Sequence, residues 1–127
     1  MSTQTRVTLV GLEPGRANLT SFPGLTAEKV KAALNACVEE LRALGFEAQL
    51  CPIPPEVDEA EARVEASLTQ HPTDIVVIGA GVRAVPEHLL LFERLLNLVI
   101  RRAPHARLCF NTQPNDTVQA VQRWVRR

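Results

Sequence analysis

The residues of this chain with the most chemical capacity are Glu13, Arg83, Asn111 and Thr112, with Gly79 and Gly81 beside Arg83 in the run Gly79-Ala-Gly-Val-Arg-Ala84. A guanidinium suits carboxylate or phosphate because its fork of N–H donors matches two anionic oxygens. Glycines allow close backbone approach, and an amide and a hydroxyl add neutral hydrogen bonds. Brought together, these groups would hold a small polar or anionic ligand, with Arg83 as its charge partner. Glu13 would act as a base or ribose acceptor, or would simply begin the Glu13-Pro14-Gly15 turn.

The glycine run also fits Gly-x-Gly-x-x-Ala, the dinucleotide fingerprint, which needs a strand before it, a helix opening at it and a carboxylate about twenty residues on. Here the helix is expected only from Pro86, and the downstream position holds Arg101-Arg102. Dinucleotide binding is therefore not expected, and no cofactor is identified. A Walker phosphate loop is absent, since no Gly-Lys-Ser or Gly-Lys-Thr occurs. His71, His88 and His105 have no nucleophilic partner nearby in sequence. Cys37, Cys51 and Cys109 are far apart, with no Cys-x-x-Cys and no histidine at ligand spacing, so buried thiols are expected and a metal site is not.

Four apolar runs must carry these groups: Val7 to Leu12, Phe46 to Ile53, Asp74 to Ala80 and Arg107 to Thr112. Each is followed by turn residues and then by a helix-period segment, the mark of a parallel sheet with helical crossovers. The first helix is capped by Thr26, repeats Val30, Leu34, Cys37, Leu41 and Leu44, and stops at Gly45. A second, Glu56 to His71, opens with Glu56, Asp58, Glu59 and Glu61 at its positive end and carries a thinner stripe of Val57, Ala60, Val64 and Leu68. A third begins near Pro86 and runs to Arg102, with an apolar set wider than one sheet face requires. The last, from about Asn115, puts Val118, Val121, Trp124 and Val125 on one side.

Right-handed crossovers then point to a three-layer α/β/α sandwich, a four-stranded parallel sheet of order 2-1-3-4, flavodoxin-like or Rossmann-like without a fifth strand. The first and last helices cover one face and the two middle helices the other. Ligands in such sheets bind beyond the carboxyl ends of the strands where strand order reverses, here between the loops after strands one and three. Those loops supply Glu13, Arg16, Asn18, Thr20 and Ser21, then Gly79, Gly81 and Arg83, with Asn111, Thr112 and Asn115 after strand four. Strand four is an open edge.

Bulk properties narrow the partners. The 127 residues suit one α/β domain, 1–127, and 46% hydrophobic with 22% charged residues is an ordinary globular composition. Fourteen basic and 14 acidic residues cancel, giving no field to draw in nucleic acid or an anionic membrane. The start lacks the apolar core of a secretory signal, so a cytoplasmic location is expected.

Val76-Val-Ile-Gly-Ala-Gly-Val-Arg83, with Phe92-Glu93 and Phe110-Asn-Thr-x-Pro-x-Asp-Thr117, resembles a set of small uncharacterised bacterial proteins of unassigned function. The resemblance spans most of the chain, including Thr26-Ala-Glu-Lys29 and the Pro52 to Pro55 loop. It implies a single α/β domain and carries no activity. Better-known flavodoxin-like families are set aside by their motifs. A response-regulator receiver needs an Asp where Gly79 ends strand three. A low-molecular-weight phosphatase needs a Cys-x5-Arg loop after strand one, and a cobalamin domain needs Asp-x-His-x-x-Gly. Three readings stand: a binder of a small polar or anionic ligand; a non-catalytic protein forming a homodimer through the third helix or the edge strand; an enzyme of unknown reaction.

Overall fold

The structure, a computed structural model, describes residues 4–16, Leu19 and residues 23–125. Four strands, β1 (Arg6–Leu12), β2 (Glu47–Ile53), β3 (Ile75–Ile78) and β4 (Arg107–Phe110), form an all-parallel sheet of order β2-β1-β3-β4. Five helices accompany them: α1 (Ala27–Ala43), α2 (Val57–Gln70), α3 (Ala80–Arg83), α4 (Leu89–Arg102) and α5 (Thr117–Arg123). This is the expected α/β sandwich of flavodoxin-like type.

Alternation along the strands builds two cores. Val7, Leu9, Ile75, Val77 and Cys109 pack with Cys37, Val38 and Leu41 of α1 and Val118 and Val121 of α5. Val10, Leu12, Ile53, Val76 and Ile78 pack with Ala60, Val64 and Leu68 of α2 and Leu91, Leu95 and Leu98 of α4. Thr26 caps α1 by accepting the Lys29 N–H at 3.1 Å, and Gly45 takes the left-handed φ of 97° that ends it. No helix among the described residues is long and apolar enough to cross a membrane.

Several boundaries differ from the sequence expectation. β3 stops at Ile78, two residues early, because the Gly79 carbonyl accepts the Val82 and Arg83 N–H groups and closes the helical turn α3. The chain is thus helical directly after β3, before the Pro86–His88 3-10 turn that leads into α4. β4 stops at Phe110, since Asn111 and Thr112 turn away to bond α3 and the next turn. On α4, Leu91 and Leu98 are buried while Leu89, Leu90 and Ile100 are exposed. Trp124, expected on one side of the last helix with Val118 and Val121, follows the last helical residue and is exposed, while those two valines are buried.

Candidate functional site

At the carboxyl edge the two sheet faces are finished differently. On the α1 side, successive layers of the sheet run Ala48, Val7 and Ile75, then Leu50, Leu9 and Val77, then Pro52 and Gly11, with Gly79 next to Gly11 beyond β3. The Gly79 N–H continues the ladder by donating to the Val10 carbonyl at 3.0 Å. The outermost layer therefore has a glycine near the end of β1 and another just past the end of β3, at the point where strand order reverses. A Cβ at Gly11 would meet nothing within 4 Å, and one at Gly79 would lie 3.6 Å from the Val10 carbonyl oxygen, an ordinary contact. Neither glycine has a positive φ. What their missing side chains create is space.

That space is a cleft of about 450 Å³, within the range of small-molecule sites. Its floor is Gly11 and Gly79 with Leu9 and Val77 behind; Leu34 and Ala27 of α1 form one wall and Leu50 and Pro52 of β2 another. Glu13, Glu28, Lys31, Asn35 and Asn111 supply its polar groups. A smaller adjoining cavity of about 70 Å³ shares Gly11, Leu34, Gly79 and Asn111 and adds Val30 and Gly81. Here the α1 stripe divides. Cys37, Val38 and Leu41 fill the core, whereas Val30 and Leu34, a turn or two earlier, stay half-exposed, Leu34 lining both the cleft and the smaller cavity and Val30 the smaller one.

The structure brings Glu13, Gly79 and Asn111 to one cleft and Gly81 to the adjoining one. Arg83 and Thr112 do not line either. The Arg83 Nη2 donates to the Asn111 carbonyl oxygen at 3.0 Å, and its Nε is buried without a hydrogen-bond partner. Thr112 donates its backbone N–H and its hydroxyl to the Asp116 carboxylate. Burial pushes that carboxyl up, but the Thr112 bonds, the Gln113 N–H and the Arg123 charge together outweigh it and hold Asp116 below the usual range. Both ends of the Asn111 amide are taken as well: Oδ1 accepts the Ala80 N–H at 2.9 Å and Nδ2 donates to the Thr117 hydroxyl at 2.9 Å. Asn111 thus occupies the free N–H at the start of α3 that the glycine run would otherwise offer a ligand.

Glu13 lies between two cations, 3.7 Å from Arg16 and 3.7 Å from Arg63, while Arg16 is also paired with Glu56 at 2.7 Å. Asn18, Thr20 and Ser21 fall outside the described residues. His71 and His105 are exposed, and the cleft is not lined by any histidine. All three cysteines are buried and free of disulfides, with the Cys37 thiol donating to the Pro114 carbonyl at 3.0 Å; burial pushes each thiol up, Cys109 to about 12. Among the described residues no group of three or more His, Cys, Asp or Glu is placed to hold a metal ion.

Sequence reasoning missed Gly11, Lys31, Leu34, Asn35, Leu50 and Pro52 as lining residues. A signal existed for the first: alternation puts Gly11 on the same face as Leu9, level with the glycine that follows β3. Lys31 is exposed and makes no ion pair among the described residues, so it is the free cation at this rim. Compared with protein-family models, with curated proteins and with solved structures, the chain has no match, and the reading of the site rests on its geometry.

Proposed function

We propose that this chain binds a small ligand at the carboxyl edge of its sheet, with the ligand's apolar body on the glycine floor and its polar or anionic end at the rim. The observation that carries this is the pairing of Gly11 and Gly79 across the reversal of strand order, which leaves a ligand-sized cleft where a packed sheet would have side chains. Leu34, Leu50 and Val77 favour an apolar body; Lys31 and Asn35 favour a carboxylate, phosphate or hydroxyl at one end. The anionic end is assigned to Lys31 rather than Arg83, because the Arg83 guanidinium is committed to the Asn111 carbonyl.

Binding is the reading in preference to catalysis. Glu13, the carboxylate at the mouth of β1, is held by two arginines, and the Asn111 amide is tied to the Ala80 N–H and the Thr117 hydroxyl. A cytoplasmic setting suits the three free thiols. Neither nucleic acid nor a membrane is proposed as a partner, given the balanced charge.

Thermal unfolding against aromatic and aliphatic carboxylates, nucleosides, nucleotides and sugar phosphates tests this, since a ligand of the native state raises the midpoint by mass action. The expected result is a rise with an amphiphilic anion that is reduced in Lys31→Ala and kept in Arg83→Ala. A rise lost in Arg83→Ala and kept in Lys31→Ala would return the charge assignment to Arg83. No rise with any compound at about 100 times a micromolar Kd would contradict binding.

A further inference from the structure

The helix α4 has two flanks of unlike character. Toward α2, its cations are all satisfied within the chain: Arg94 pairs with Glu61 at 2.8 Å and Asp58 at 3.5 Å, and Arg102 pairs with Glu65. The outer face is different. Leu89, Leu90 and Ile100 are 62%, 55% and 59% exposed, as open as many charged residues. Between and beside them stand Glu93 and Arg101, exposed and without any ion pair among the described residues. An acid sits in the first half of the face and a base in the second, with leucines at the start and isoleucine near the end.

Glu93 and Arg101 cannot meet within one chain, because eight residues of helix separate them by about 12 Å along the axis. A second copy of α4 running antiparallel removes that obstacle. With a two-fold axis against the outer face at the axial level of Leu96, residue i is level with residue 192 minus i of the partner. Glu93 then lies within about 3 Å of axial offset from the partner's Arg101, and Leu90 within the same offset from the partner's Ile100. Every contact occurs twice, as a two-fold interface requires. We propose that this outer face of α4 binds a second copy of the chain in that antiparallel register.

The edge strand is not the route. The Arg107 N–H donates to the Asp74 carbonyl, so alternation aims the backbone groups of Leu108 and Phe110 outward. The Phe110 carbonyl is already taken by Arg123 Nη2 at 3.0 Å, and a four-residue edge capped this way offers little for strand pairing. The dimer leaves the cleft free, since none of Leu89, Leu90, Glu93, Ile100 and Arg101 lines it.

The test is molar mass by light scattering at about 50 µM chain, above the micromolar Kd of a modest interface. The wild type should have twice the chain mass, and Ile100→Glu should be monomeric with an unchanged circular dichroism spectrum. Glu93→Arg should raise the dimer Kd by about tenfold, the combined cost of two lost pairs and new repulsion, and Glu93→Arg with Arg101→Glu should restore it. A monomeric wild type overturns the proposal. A dimer that survives Ile100→Glu overturns this surface, and a doubly reversed variant no better than the single one overturns the register.

Discussion

Asn111 shows how a residue that looks like ligand chemistry serves the fold instead. Its amide ties the start of α3 to the Thr117 hydroxyl, joining the loops after β3 and β4. Asn111→Ala leaves a buried N–H without its partner and should cost about 2–3 kcal/mol in urea unfolding; a loss under about 0.5 kcal/mol would mean that water or another group replaces the amide. Arg6 and Asp74 make a second local tie, with the Arg6 Nε 3.2 Å from the carboxylate and its backbone N–H at 2.8 Å. The Arg6 hydrogen bond holds the Asp74 carboxyl below its usual value, against the opposing effect of burial. A depressed carboxyl stabilises the fold above its unfolded pKa, about 3.9, and that contribution disappears as pH falls through the lower folded value. The stability difference between wild type and Asp74→Asn should therefore be full at neutral pH and close below about pH 4. A difference that stays constant into strong acid would contradict this. The residue types at Arg83, Asn111 and Thr112 were legible as polar anchors, but the sequence has no means of saying that Arg83 donates to the Asn111 carbonyl, that the Asn111 amide meets the Ala80 N–H and the Thr117 hydroxyl, and that Thr112 donates to Asp116.

Among the elements, α1 and α4 carry different lessons about periodicity. The α1 stripe was legible from Val30 to Leu41, yet the same spacing serves two purposes: its later half meets filled sheet layers, and its earlier half meets glycines. The change comes from the strands, not from the helix, so a pattern confined to one element does not reveal it. On α4 the apolar set exceeds what the sheet can cover, as its composition implied. Burial then sorts it, with Leu95 fully enclosed and Leu89 open. Leu95→Ala should cost about 2–5 kcal/mol through lost burial and a cavity, whereas Leu89→Ala in the monomer should cost under about 0.5 kcal/mol. Equal losses at the two sites would contradict the placement of α4. The turn α3 was not legible, because four residues containing a glycine have no period to read; it forms because the Gly79 carbonyl can accept two N–H groups.

For the molecule as a whole, strand order followed from alternation of strands and helices plus crossover handedness, and the structure has the same order. That order also located the crevice between β1 and β3 before any side chain was placed. The wall chemistry was not legible, since it depends on Leu50 and Pro52 from β2 meeting Leu34 across a gap. The three thiols report on the integrity of both cores. At pH 8 the native protein should resist a thiol reagent at all three positions, Cys109 most of all with its pKa pushed up to about 12, and should react fully in denaturant. Rapid native labelling of Cys109 would place β4 outside the stable sheet.

The glycine floor is the feature on which the binding proposal depends, and Gly11→Leu addresses it directly because a side chain there enters open space. Removing a strand glycine should also leave stability equal or higher, by about 0.5–1 kcal/mol. The decisive measurement is a calorimetric titration of the best compound from the unfolding screen into wild type and Gly11→Leu. Binding to the wild type and none to an equally stable variant is the predicted result. Equal affinity for both proteins would contradict a site on the floor formed by Gly11 and Gly79.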